Sequence, residues 1–380
     1  MTHLVWPFMP QHGVDEVLEW KTDVLRTKAG EQRIALRKTP RQIFSYKHFL
    51  TEHQASLARA MAYGWGHGQF GVPVWVEMSF VGSVSSGATS VLVDTTVADY
   101  RVGGLVLLWE SEEKFVEATI SSLTSTQVNF TATVGSSFAS AYICPLRVGK
   151  SLNGMAIQRG PNTLAKGDIE FRVEDNADLG ASAGFPTLSG IDILTDTVYY
   201  LGSHEDRVIR EVEVMDNETG KVYAPSKYDR TDQAFTLAFS TQTRASLSRI
   251  RKWLHLRKGK LKPFWLISQS HDLTLLTNVL STDTSIEVKS IKYGLYYTTS
   301  AIEILRKNGV ATYHLVTSGA TVGSVDTLYL SAVVGTAANI SDIERISFMR
   351  KVCLASDRIE ISHQENASAT IKIPVREVLV

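Results

Sequence analysis

The chain has 380 residues, 44% hydrophobic and 21% charged, with 39 basic against 39 acidic side chains. That length exceeds one hydrophobic core of the usual size, so two or more domains are expected, and the balanced charge excludes a global field that would recruit nucleic acid or an anionic membrane. The sequence has no apolar stretch long enough for a membrane span, and Met1 to Pro10 lacks the pattern of a signal peptide, which points to synthesis in a cytoplasm.

In chain order, residues 18–26 and 32–37 predict two short strands around a turn. Residues 43–49 predict a half-buried strand, and Leu57, Met61 and Trp65 fall at helical spacing with an apolar stripe to bury. Gly64, Gly66 and Gly68 stop that helix, and an aromatic strand at 72–76 follows, whose Pro73 suggests an edge. Short β-branched runs at 88–93, 105–109, 115–120 and 126–131 predict a small β module, and 168–173 predict a closing strand. The order then repeats. A strand and turn at 207–223, a strand at 234–239, and the stripe Leu247, Ile250, Leu254 lead to Gly259 and the aromatic strand 263–267. Runs at 284–288, 301–305, 311–316 and 326–330 follow, closed by 370–376. Ala55-Ser56-Leu57, Pro73 and Trp75 recur 190 positions later as Ala245-Ser246-Leu247, Pro263 and Trp265, so a tandem duplication is expected.

The expected fold class is α+β, mainly β, with two tandem units that each carry one flanking helix. Residues 1–80 with 148–180 form the first unit, 81–147 an inserted module, and 181–200 a Ser/Gly/Thr-rich linker. Residues 201–270 with 351–380 form the second unit, and 271–350 a second inserted module.

Gly30-Glu31-Gln32-Arg33, Pro40-Arg41, Phe44, Leu57, Gly68-Gln69-Phe70 and Trp75 together resemble the N-terminal pattern of tailed-bacteriophage distal tail and baseplate proteins. Leu247, Trp253, Arg257-Lys258-Gly259-Lys260, Pro263 and Phe264-Trp265 match its later part in the second copy, which departs early at Gly220-Lys221-Val222 and at Arg230. The likeness spans roughly residues 15–80 and 205–270. It implies tail-tube-like β-sandwich units, each with an inserted small β-barrel or sandwich module. It also implies a closed six-fold or three-fold ring at the virion tail tip, between a tail tube protein and a baseplate hub protein and in contact with tail fibre or receptor-binding proteins. On this reading Arg33, Arg41, Trp75, Trp109, Arg257, Lys258 and Trp265 are candidate interface residues, with core roles close behind for Trp75 and Trp265.

Residues that would carry catalysis give no constellation. Glu110, Glu112 and Glu113 cluster in one turn, no nucleophile, Walker or dinucleotide motif occurs, and His53, His67, His204, His255 and His271 are scattered. No enzyme activity, cofactor or metal is expected, and Cys144 and Cys353 read as buried thiols. The run Arg244, Arg249, Arg251, Lys252, Arg257, Lys258, Lys260, Lys262 contains no acid, and reads as a solvated face, a subunit interface or a polyanion site. It lacks the aromatic interleaving of a nucleic-acid platform, so no specific nucleic-acid recognition is expected. An alternative reading is a carbohydrate-binding module of a virion or secreted assembly, using Trp109 as an exposed aromatic.

Overall fold

The computed structural model describes residues 3–11, 13–27, 30–159, 164–180, 184–196, 207–210, 212–226, 232–297, 300–364 and 368–378. The fold is mixed α+β, dominated by one large, mostly antiparallel β network with few short helices.

The first half carries β1 (His3–Val5), β2 (Val14–Glu19), β3 (Thr22–Arg26), β4 (Glu31–Ala35) and β5 (Arg41–Thr51), then α1 (Glu52–Trp65). It continues with β6 (Gln69–Pro73), β7 (Ser79–Val84), β8 (Ser90–Leu92), β9 (Leu105–Ser111), β10 (Lys114–Thr124), β11 (Gln127–Phe130), β12 (Phe138–Lys150), β13 (Met155–Arg159) and β14 (Leu164–Val173). The second half carries β15 (Thr187–Leu188), β16 (Ile191–Leu194), β17 (Arg207–Ile209), β18 (Met215–Asp216), β19 (Val222–Tyr223) and β20 (Asp232–Thr241), then α2 (Arg244–Arg257). After it come β21 (Phe264–Ile267), β22 (Ser285–Lys289), α3 (Tyr293–Tyr296), β23 (Ser300–Arg306), β24 (Ala311–Val322), β25 (Val325–Leu330), β26 (Ile343–Leu354), β27 (Arg358–His363) and β28 (Ala369–Glu377).

The pairing pattern of the first half recurs in the second. β2, β5, β14 and β13 lie side by side antiparallel, as do β17, β20, β28 and β27. β1 runs parallel to β6, and β16 runs parallel to β21. β8, β11, β10, β9 and β12 follow one another in space, as do β22, β25, β24, β23 and β26. Each half has its own apolar core, and each module has another.

The helices start alike because Thr51 and Thr243 cap them, each in a capping box closed by Gln54 or Ser246, a device that stabilises a helix by about 1 kcal/mol. These caps align Ala55 and Ala58 with Leu247 and Ile250, all four buried. The Ala-Ser-Leu match is therefore out of step with the structural repeat by two residues. Trp75 and Trp265 do not correspond either: Trp75 sits in a 3₁₀ turn (Trp75–Glu77) beyond β6, whereas Trp265 lies within β21, where Phe264 takes the place of Phe70. The stripe of α1 is corrected too, since Ala55 and Ala58 are its buried residues while Leu57, Met61 and Trp65 are half-buried.

Three further expectations change. β6 is no edge: β1 covers one side and β12 the other, and Pro73 is tolerated because it lies past the end of β1. Within the expected linker 181–200, β15 and β16 form a hairpin whose Ile193 and Leu194 are buried, so this stretch builds core; residues 181–183 and 197–200 lie outside the described residues. The expected boundaries at 147/148 and 350/351 fall inside β12 and β26, which run unbroken from module to main sheet.

Candidate assembly interface

The two halves are welded edge to edge. β2 pairs with β5 on one side and with β27 on the other, in register from Val14 opposite His363 to Glu19 opposite Arg358. β2 is thereby interior, and Val14, Glu16, Val17 and Leu18 are all buried. Leu18 and Trp20, both from the first half, pack into the core of the second; burying two such side chains stabilises the joint by roughly 2–3 kcal/mol each.

At the centre of this joint stands a buried ionic cluster. Arg251 reaches out of α2, its Nη2 donating to Glu16 Oε1 at 2.8 Å and its Nη1 to Glu77 Oε1. Gln42 Nε2 (2.7 Å) and His363 Nε2 (3.0 Å) complete the Glu16 carboxylate, and the Asp99 backbone N–H donates to Glu77 at 2.7 Å. Asp99 in turn meets Arg147 at 2.8 Å and Arg101 Nε at 2.9 Å. Three carboxylates thus face three guanidiniums, drawn from both halves. Burial by itself would raise the Glu16 carboxyl, but the charge of Arg251 and the bonds from His363 and Gln42 outweigh it and hold Glu16 well below the usual carboxylate range. Asp99 is lowered in the same manner, burial being outweighed by Arg147 and Arg101. Burial and the neighbouring Arg251 bring His255 down to about 4, and its Nδ1 accepts from Leu179 N at 3.2 Å.

A β-hairpin arm reinforces the joint. Trp20 N donates to Asp357 O at 2.8 Å, Thr22 N to Asp357 Oδ2 at 2.7 Å, and Lys260 N to Asp357 Oδ1 at 3.0 Å. Arg33, on the β3–β4 arm, donates to Lys260 O and pairs with Glu31.

Of the expected interface residues, Arg33 and Lys258 make contacts between the halves. Arg41 lies exposed at the start of β5. Arg257 bonds Pro263 O and Asp192 within the second half, and Lys258 pairs with Asp178 at 2.7 Å. Trp265 Nε1 donates to Leu188 O at 3.1 Å, fixing β21 to the β15–β16 hairpin. Trp75 is buried and meets Trp109 edge-on at 5.6 Å. Trp109 is not an exposed aromatic. It is half-buried, its ring lies between Trp75 and Tyr142, and its Nε1 donates to Pro7 O at 3.0 Å.

Most of the acid-free basic run is engaged within the fold, while Lys262 is exposed. Arg244 binds Ser79 and Met78 O, Lys252 binds Thr96 O, Arg251 enters the cluster, and Arg249 pairs with Asp196 at 2.8 Å. Its acids come from distant parts of the chain, which is why local sequence conceals them. A helix with an apolar stripe and no acid of its own was the available signal; Glu16, Glu77, Asp99 and Arg147 gave none.

The acidic turn disperses: Glu110 pairs with Lys114, Glu112 accepts from Gln54 at 2.7 Å, and Glu113 faces His53. Among the described residues no group of three or more His, Cys, Asp or Glu could hold a metal ion, and no helix is long and apolar enough to cross a membrane. His204 lies outside the described residues. No protein-family model matches the chain, and no curated protein matches it in sequence.

Proposed function

We propose that the chain is a structural component of a phage tail tip or baseplate, built of two tail-tube-like β-sandwich units with inserted β modules and working by stoichiometric assembly into a ring. On this reading it lies between the tail tube and the hub and meets fibre or receptor-binding proteins. The observation that carries the reading is the joint itself: two topologically like halves meet through unlike edges, β2 of one against β27 of the other. A head-to-tail contact of this kind leaves a complementary edge at each end, which is the geometry of rings and not of two-fold dimers. The resemblance at residues 15–80 and 205–270 supplies the tail-tip assignment. Native mass spectrometry of the purified protein with negative-stain imaging tests it: a closed ring of three or six chains is expected, and a strict monomer at high concentration would refute it.

A further inference from the structure

The two strands and the helix that form the joint between the halves have counterparts whose edges and arginine are unpaired among the described residues. β13 corresponds to β27 and β17 to β2, yet β13 pairs with β14 alone and β17 with β20 alone among the described residues. On the helices, the caps align Arg251 with Arg59 and His255 with Tyr63. His255 is 3% exposed and Tyr63 92%. Arg59 is exposed and makes no ion pair among the described residues, whereas Arg251 is buried between two carboxylates.

The receiving side shows the same contrast. Beside the Arg251 site in the first half, the space lined by Leu18, Gln42, Asp99 and His255 has closed to about 10 Å³. Its counterpart in the second half, where Val208 replaces Leu18, Gln233 replaces Gln42 and Arg350 replaces Arg147, is an open cleft of about 760 Å³ that also presents Asp272 and Glu377.

We infer that the surface formed by α1 and β13 docks into the open cleft and β17 edge of a second copy of this chain, repeating between chains the joint that exists within one. Arg59 then enters the cleft toward Asp272 as Arg251 enters toward Glu16 and Glu77, and β13 adds to β17 by strand augmentation. Carrying over the register of β2 on β27 sets Val208 opposite Met155. The inference rests on the ring reading and gives it named contacts.

The test uses the full chain. Arg59→Glu alters an exposed residue with no ion pair among the described residues, so its circular dichroism and melting temperature should match wild type. Sedimentation velocity should show self-association weakened on the order of 100-fold, as for a desolvated charge pair at an interface. Met155→Cys/Val208→Cys, once oxidised, should give intermolecular disulfides that neither single variant gives, since paired strands bring Cα atoms within disulfide reach. Undiminished association of Arg59→Glu together with no crosslink overturns the inference; a closed ring persisting under those conditions leaves the tail-tip reading intact on other contacts. A monomeric wild type overturns both, and disulfide dimers from either single variant overturn the head-to-tail pairing.

Discussion

Replacing Arg251 by Ala removes the cation that two buried carboxylates share. Glu16 is fully buried and Glu77 nearly so, and among the described residues Arg251 is the only guanidinium or ammonium group bonded to either, the His363 ring also bonding Glu16. Breaking a buried pair by removing one partner costs about 3–5 kcal/mol, a large part of the 5–15 kcal/mol by which a domain is stable. The cost should depend on pH with a definite sign. In the wild type, Glu16 is depressed below its unfolded value of about 4.3, so its contribution is complete above that pH and is lost as pH falls toward the folded value. In the variant nothing of comparable strength opposes burial, and the folded carboxyl rises above the unfolded one. Stability of the variant then declines as pH rises from the unfolded value through the raised one. Urea denaturation followed by tryptophan fluorescence should therefore show a destabilisation that grows between pH 5 and pH 8. A cost under about 1 kcal/mol, or one equal at both pH values, would refute this account of the cluster. The triple variant Glu16→Gln/Glu77→Gln/Arg251→Met should recover most of the loss, because neither Glu16 nor Glu77 is then left as a buried charge without its cation.

His48 and His255 are each brought to about 4, His48 by burial against a weaker raising bond to Met9 O, so neither ring should titrate above pH 5 in proton NMR. Because both folded values lie below the unfolded value of about 6.5, their neutral forms contribute stability above that pH, and it drains away as pH falls from there toward 4. Cys144 and Cys353 are both buried, and burial pushes the Cys353 thiol up to about 11 and Cys144 still higher, so a disulfide reagent should modify neither until the protein is denatured. Gly259 has φ +64° and its added Cβ would collide with Asp357 and crowd Trp20 Cβ at 3.0 Å, so Gly259→Ala should cost about 2–3 kcal/mol. Gly309, at φ +83° in an open turn, should cost only about 1 kcal/mol on the same change, and equal melting shifts for the two would count against the close packing of the arm.

Local pattern carries the modules well. The runs at 105–109 and 326–330 are β9 and β25, because alternation and β-branching act over a few residues and turn chemistry bounds them. The repeat was visible, though its alignment was not: identical short words at Ala55 and Ala245 outweighed the capping threonines that fix the true register. The joint was the least legible part. Arg251 looks like any surface arginine on a basic helix until β2 and the 3₁₀ turn bring Glu16 and Glu77 to it, and no spacing along the chain encodes that meeting. Trp109 failed as a surface platform for a related reason, since Pro7 and Trp75, which cover it, are remote in sequence.

The pairing of β2 with β27 also sets a timetable for synthesis. Asp15 and its partner Ser362 are 347 residues apart, so a ribosome adding roughly 10 residues per second reaches β27 about half a minute after β2 has emerged. Throughout that interval the first half holds an unpaired strand edge, and for about the first two-thirds of it Glu16 waits for Arg251, which arrives only with α2. A nascent chain in that state is exposed to strand-to-strand association with its neighbours on the same message. Loss of the last thirty or so residues, by an early stop or by proteolysis, would leave the exposure permanent, and the truncated product should collect in aggregates even though every element of its first half is intact.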